Sequence, residues 1–195
     1  MKAVLFDYGG VLTSSLRDAT MRWIARENID PKLARQVLGE WLKTSTSPLA
    51  QFERGELAQV AFEEVLASRL DVNAAGLLDR LFSNLSHDEA MWSLAAELRA
   101  SGLKVAIVSN SWGDRYPRRR LEATFDAVII SGDVGLRKPS REIYELAASR
   151  LGVAPADCMF VDDLELNVNG AIEAGMRGVL HVDAASTREK INAAR

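Results

Sequence analysis

Cysteine and histidine are scarce in this 195-residue chain, which holds one Cys and two His. Cys158 has no partner for an internal disulfide, which fits a reducing compartment. With only His87 and His181 beside it, a zinc site is excluded in practice. A nucleophilic thiol needs an activating base nearby; Cys158 instead opens an apolar run and reads as a small buried residue. Basic excess is absent too. A net charge of −3 gives no basic face of the kind nucleic acid requires. No apolar run nears the roughly 20 residues of a bilayer span. The opening Met1-Lys2-Ala3-Val4-Leu5-Phe6 stops at Asp7, short of the about 7 apolar residues that a secretion signal needs. The expectation is a cytoplasmic protein with neither membrane nor nucleic-acid partners. Nucleotide loops are missing as well, since neither G-x-G-x-x-G nor G-x-x-x-x-G-K-[ST] occurs.

What remains is ordinary soluble-protein composition, 48% hydrophobic and 26% charged. Its length allows one domain with a large insertion, or a core with a small accessory domain. Lys2–Phe6 reads as a strand. After the Gly9-Gly10 turn the apolar period becomes helical for some 70 residues. Leu16, Ala19, Trp23 and Ile24 make one stripe. Asp30-Pro31 opens a second helix with Leu33, Ala34, Val37, Leu38, Trp41 and Leu42. The Thr44–Pro48 cluster reads as a turn. A third stripe holds Ala58, Ala61, Phe62, Val65, Leu66 and Leu70, and a fourth Leu78, Leu81, Phe82 and Leu85. Four such helices bury their stripes only against one another, so residues 14–85 are expected to form a helical bundle inserted after the first strand. Ser86 with Glu89 reads as a capping box for the next helix. Strands at Val105–Val108, Ala127–Ile130, Met159–Val161 and Gly178–Val182 then alternate with helices. That alternation predicts an α/β fold with a doubly wound parallel sheet formed by residues 1–13 and 86–195.

Four segments carry the chemistry. Val4–Phe6 ends in Asp7, Val105–Val108 in Ser109-Asn110, and Met159–Val161 in Asp162-Asp163; Lys138-Pro139 supplies an ammonium. In a parallel sheet all strands finish at one edge, where the ligand crevice lies. Asp7, followed by Tyr8-Gly9-Gly10, is placed to be a nucleophile, its flexible turn turning backbone N–H groups toward an anion. Adjacent carboxylates at Asp162 and Asp163 repel unless a cation sits by them, which favours Mg²⁺ with carboxylate, phosphate and water ligands. Ser109, Asn110 and Gly10 are candidates for the phosphate oxygens, Lys138 for its charge, and Asn167 for support of the acidic loop. The basic cluster Arg115, Arg118, Arg119 and Arg120 reads first as a solvated helix face, and Trp112 as a residue near the site.

In order and type these segments resemble the haloacid dehalogenase-like (HAD) hydrolase superfamily, helical-cap subclass. Phe6-Asp7-Tyr8-Gly9-Gly10-Val11-Leu12 is similar to its nucleophile loop, Val108-Ser109-Asn110 to its second motif, Gly135–Pro139 to its lysine motif and Phe160–Asp163 to its acidic motif. The resemblance implies a Rossmann-like core whose inserted cap, residues 14–85, closes over the site and helps select substrate. It implies an aspartyl-phosphate phosphatase acting on a small phosphorylated metabolite, as a monomer or homodimer. Asp163 is then a direct Mg²⁺ ligand with Asp7 and the Gly9 carbonyl, and Asp162 a ligand or a partner of a metal-bound water. Gly9 departs from the pattern, standing where these phosphatases carry a second aspartate as general acid and base. The rivals are a phosphate-binding or regulatory protein that has lost catalysis and a dehalogenase-type hydrolase. The acidic pair counts against the dehalogenase, because displacing halide needs no cation.

Overall fold

The computed structural model describes residues 1–194. Five helices follow the first strand: α1 (Leu16–Arg26), α2 (Pro31–Lys43), α3 (Pro48–Glu53), α4 (Gln59–Leu70) and α5 (Leu77–Phe82). They share one apolar cluster built on Trp23, Val37, Leu49, Phe62, Leu66 and Leu77. Phe52 of α3 stacks on Phe62 with ring centres 4.3 Å apart. Each large side chain so buried contributes about 1.5–3 kcal/mol, which is how short helices hold together.

The remaining helices are α6 (Glu89–Ala100), α7 (Arg118–Thr124), α8 (Ser131–Val134), α9 (Arg141–Leu151), α10 (Glu165–Glu173) and α11 (Ala184–Ala193). They surround five strands: β1 (Ala3–Phe6), β2 (Lys104–Ser109), β3 (Ala127–Ile130), β4 (Cys158–Asp162) and β5 (Arg177–Leu180). The strand order is β3-β2-β1-β4-β5, with every neighbouring pair parallel. Val4, Phe6, Ile107 and Val161 pack with Leu94 of α6, Leu121 of α7 and Ile191 of α11 on one face. Leu5, Ala106, Val108 and Phe160 pack with Ile143 and Tyr144 of α9 and Ala171 of α10 on the other. Burial on both faces makes the strands apolar throughout, and Cys158 is simply one of those core residues. Among the described residues no helix is long and apolar enough to cross a membrane.

The inserted helices join this sheet through two short crossings. Thr13 and His87 form an antiparallel bridge, Ser14 N–H donates to the Ser86 carbonyl at 2.8 Å, and Asp88 N–H donates to that of Leu12 at 3.0 Å.

Several expectations need correction. The inserted helices number five, not four, because the Thr44–Pro48 turn runs straight into α3. Ser47 caps that helix by accepting from Ala50 N–H, and six residues are too few to show a stripe. Asp88, not Ser86, caps α6 by accepting from Met91 N–H. Leu42 and Val65 face solvent. Leu85 lies beyond α5, and the last strand stops at Leu180, leaving Val182 exposed.

Candidate active site

Register brings three chain-distant groups to one edge. Phe6, the last residue of β1, lies beside Ile107 of β2 and Val161 of β4. Asp7, Ser109 and Asp162 therefore leave adjacent strands together, beside the reversal in strand order where α/β sheets bind ligands. Lys138 enters from the loop between α8 and α9 and completes the group. It is 1% exposed, with Nζ 2.7 Å from Asp7 Oδ1 and 2.6 Å from Asp162 Oδ2. Burial opposes the ammonium, but Asp162 and Asp7 outweigh it and hold its pKa above the ordinary lysine value.

Asp162 is wholly engaged by the protein. Its Oδ1 accepts from Leu164 N–H at 2.8 Å and from Asn167 Nδ2 at 3.1 Å. Its Oδ2 accepts from Asn167 Nδ2 at 3.1 Å besides Lys138. Asn167 is steadied in turn by the Tyr144 hydroxyl, which donates to its carbonyl at 2.7 Å. Asp163, half-buried, has no such set of donors. Oxygens of Asp7, Asp162 and Asp163 lie within 4.8 Å of one another, so three carboxylates face one ammonium. Burial pushes Asp7 up to about 8, with Lys138 pulling it down and the charges of Asp162 and Asp163 pushing the same way as burial. Burial and then Asp162 push Asp163 up to about 6. A hard divalent cation held by oxygen fits this set, since it would relieve that repulsion. Gly10 permits the approach: it has φ +79, and a Cβ there would fall 2.3 Å from Asp163 Oδ2.

The other expected phosphate contacts are present at the same edge but are bonded within the protein. Ser109 Oγ lies 2.9 Å from the Tyr116 hydroxyl. Burial pushes the Tyr116 phenol far above its ordinary pKa, and the nearby Asp7 charge adds to this. Asn110 is tied to the lysine loop: its Oδ1 accepts from Lys138 N–H at 2.8 Å and its Nδ2 donates to the Lys138 carbonyl at 3.1 Å. Gly10 N–H donates to Thr13 Oγ1 at 3.0 Å. Of the basic cluster, Arg115 pairs with Asp79, Arg118 with Asp114 and Asp133, and Arg120 with Glu89. Arg118 and Arg120 lie on α7, whereas Arg115 precedes that helix.

Three features escape sequence reasoning. The first is Glu53 at the end of α3. It forms a buried ion pair with Arg137, Nε to Oε2 2.6 Å, and accepts from Asn110 Nδ2 at 3.2 Å. The inserted helices thus touch the lysine loop. Burial raises Glu53 to about 7, against Arg137 and Lys138, which lower it. Removing one member of a buried pair leaves the other uncompensated, so Glu53→Ala should cost about 3–5 kcal/mol in urea unfolding. The pH dependence has a definite sign. With a folded pKa raised from 4.5 to about 7, the stability contributed by Glu53 is fully present below 4.5 and lost as pH climbs through 7. Glu53→Gln should therefore show a shallower fall in stability than wild type across that window.

The second is Tyr116, hidden in sequence within the arginine cluster. The third is Leu16, the first residue of α1. A Cβ placed on Gly9 would lie 2.5 Å from Leu16 Cδ1 and 3.2 Å from its Cγ. The space that a side chain at position 9 would need is occupied by leucine. Beside it an open-mouthed cleft of about 60 Å³ runs from Ser109 to Leu85 and Trp112.

Residues 1–175 match the haloacid dehalogenase-like hydrolase family. The chain is 29% identical to a sesquiterpene phosphatase of Aspergillus oryzae over 95% of its own length and 92% of that protein. It is 30% identical to a phosphatase of Mycobacterium tuberculosis, covering 98% of this chain and 92% of that one. A HAD family enzyme of Bacteroides thetaiotaomicron, solved in complex with magnesium and inorganic phosphate, superimposes with a TM-score of 0.69 at 22% identity, covering 93% of this chain and 94% of that one. At that identity the superposition speaks to the fold alone.

Proposed function

This chain belongs to the haloacid dehalogenase-like hydrolases, and from that membership we propose a cytoplasmic, Mg²⁺-dependent phosphatase that passes the phosphoryl group of a small phosphorylated metabolite to Asp7 and then to water. One observation carries the reading: a buried carboxylate at a strand end is held 2.7 Å from a buried ammonium, with a second carboxylate, Asp163, facing the same space. Similarity running along more than nine-tenths of both chains with two proteins named as phosphatases supports it. The core is residues 1–13 and 86–195, the last of these lying outside the described residues, and the cap 14–85, a division supported by the Thr13–His87 bridge and the separate helical cluster. The protein acts as monomer or homodimer, with no part for nucleic acid.

An Asp7 oxygen bonds to phosphorus as the bond to the leaving oxygen breaks, the electron pair departing with that oxygen. Water then attacks phosphorus, the Asp7–phosphorus bond breaks, and the carboxylate is restored as dihydrogen phosphate leaves with both hydrogens. Lys138 balances charge on Asp7 and the phosphoryl group, while Ser109 Oγ and the turn N–H group of Asn110 orient phosphoryl oxygens; Gly10 N–H, expected to join them, is held by Thr13 Oγ1. Asp7, Asp163 and the Gly9 carbonyl are the residues that would hold Mg²⁺, which when bound neutralises phosphoryl charge. Asp162, its lone pairs spent, fixes Lys138 instead of binding metal directly. Phosphate release from a panel of phosphorylated metabolites, with and without Mg²⁺, tests the whole reading; silence in both arms would sink it.

The division of labour between the paired aspartates has its own check. In calorimetric titration with Mg²⁺ and fluoroberyllate, Asp163→Ala should lose affinity at least about tenfold, the scale of removing a ligand or its support. Asp162→Ala should lose less. Equal losses would return Asp162 to the metal shell.

A second reading is favoured by Leu16 filling the space beside Gly9: a phosphate-binding protein that no longer turns over. Fluoroberyllate binding with no phosphate release from any ester would select it.

A further inference from the structure

Resting on the phosphatase reading, we propose that the substrate is a phosphomonoester whose leaving group is an uncharged, apolar, ring-sized body seated in the cleft beside Gly9. Its walls are Tyr8, Leu16, Phe82, Leu85, Trp112 and Tyr116. The aromatic faces are fixed by one another. The Tyr8 and Tyr116 rings lie 4.9 Å apart, and Trp112 meets Phe82 edge-on at 5.6 Å. Trp112 also meets Phe62 of the cap core at 6.0 Å, so core loop and cap build this wall together. The cleft encloses about 60 Å³, below the usual range of ligand sites, and its open mouth leaves the far side of a ring in solvent.

What the walls lack decides the class. Arg115 is the lining cation, and it is already paired with Asp79 and set against the Phe82 ring. The Tyr116 hydroxyl is engaged with Ser109, the Asn110 amide with the lysine loop, and Thr13 Oγ1 with Gly10 N–H and the Ser14 carbonyl. The Tyr8 hydroxyl, loosely held 3.5 Å from His87 Nε2, is one partner and too few for the several hydroxyls or charges of a sugar or amino-acid leaving group, which would surrender most of its water unfavourably. An apolar ring loses little and gains contact with every wall. Leu16 adds to the apolar wall: leucine carbons fill the space that a side chain on Gly9 would take.

The test compares 2-naphthyl phosphate with phenyl phosphate, whose phenols ionise alike, so that only apolar contact differs. Glycerol phosphate and acetyl phosphate complete the set. The expected result is a kcat/KM for the naphthyl ester at least about tenfold above the phenyl ester, as one extra buried ring would give. Leu85→Asp and Trp112→Ala should each collapse that ratio toward one. A wild-type ratio near one with phosphate released from all esters overturns the inference and leaves the phosphatase reading standing. A tenfold ratio that survives both variants also overturns it, because the preference would then arise elsewhere. No phosphate from any ester or from acetyl phosphate overturns the phosphatase reading, and the inference with it.

Discussion

Asp7→Asn should release no measurable phosphate from the best substrate while remaining as stable as wild type. An amide cannot form the acyl-phosphate, so the loss should reach at least about 10⁴-fold, the scale seen when a covalent nucleophile is removed. The fold should tolerate the change because the site already disfavours charge there. Burial together with the neighbouring Asp162 and Asp163 pushes the Asp7 carboxyl up to about 8 in spite of Lys138. An uncharged amide of the same shape removes one member of that crowded carboxylate group. Lys138 keeps Asp162 as its ion-pair partner at 2.6 Å. Phosphate assay and thermal unfolding on one sample check both halves. Wild-type turnover would remove Asp7 from the nucleophile's place; a collapsed melting temperature would mean that Lys138 depends on both carboxylates.

The sheet and the strand-end groups were open to sequence reasoning for a single physical reason. A parallel strand covered on both faces must be apolar along its length, so Leu5-Phe6, Ile107-Val108 and Phe160-Val161 announce themselves, and whatever polar residue follows lies at the ligand edge. Lys138 has no such run before it and is legible only through the company it keeps. Glu53 is illegible: a lone glutamate in sequence looks like a surface residue, and only the packing of α3 against the lysine loop makes it a buried partner of Arg137. Asp162 and Asp163 are indistinguishable as neighbours in sequence. Strand geometry separates them by turning Asp162 inward to Lys138 and Asn167 and leaving Asp163 half-buried. Leu16 is the strongest case. As the opening residue of a helical stripe it reads as cap core, and nothing local reveals that its side chain lies against Gly9.

That contact changes what restoring an aspartate at position 9 should do. On sequence alone, Gly9→Asp supplies the missing proton donor and flattens the dependence of rate on leaving-group pKa. The backbone itself permits aspartate, since Gly9 is not among the glycines with positive φ. The obstacle is Leu16 Cδ1, 2.5 Å from where the new Cβ would stand. Gly9→Asp alone is therefore expected to bring little gain, because its carboxyl must either displace the leucine or turn away from the leaving oxygen. Gly9→Asp with Leu16→Ala opens the space. The wild type should cleave aryl esters, whose phenols ionise near about 10, far faster than alkyl esters, whose alcohols resemble water at about 16. A placed general acid is worth about 10²–10⁴ in rate, or roughly 3–5 kcal/mol of barrier. The paired variant should deliver at least about 10² of that to alkyl esters and much less to aryl ones. Rates on a series of esters of graded acidity, measured for wild type, single and paired variants, decide the matter. A single variant as active as the pair would show that Leu16 yields freely. Equal aryl and alkyl rates in the wild type would instead show that a proton already reaches the leaving oxygen, and the neutral Tyr116 phenol beside Ser109 would become the donor to mutate next.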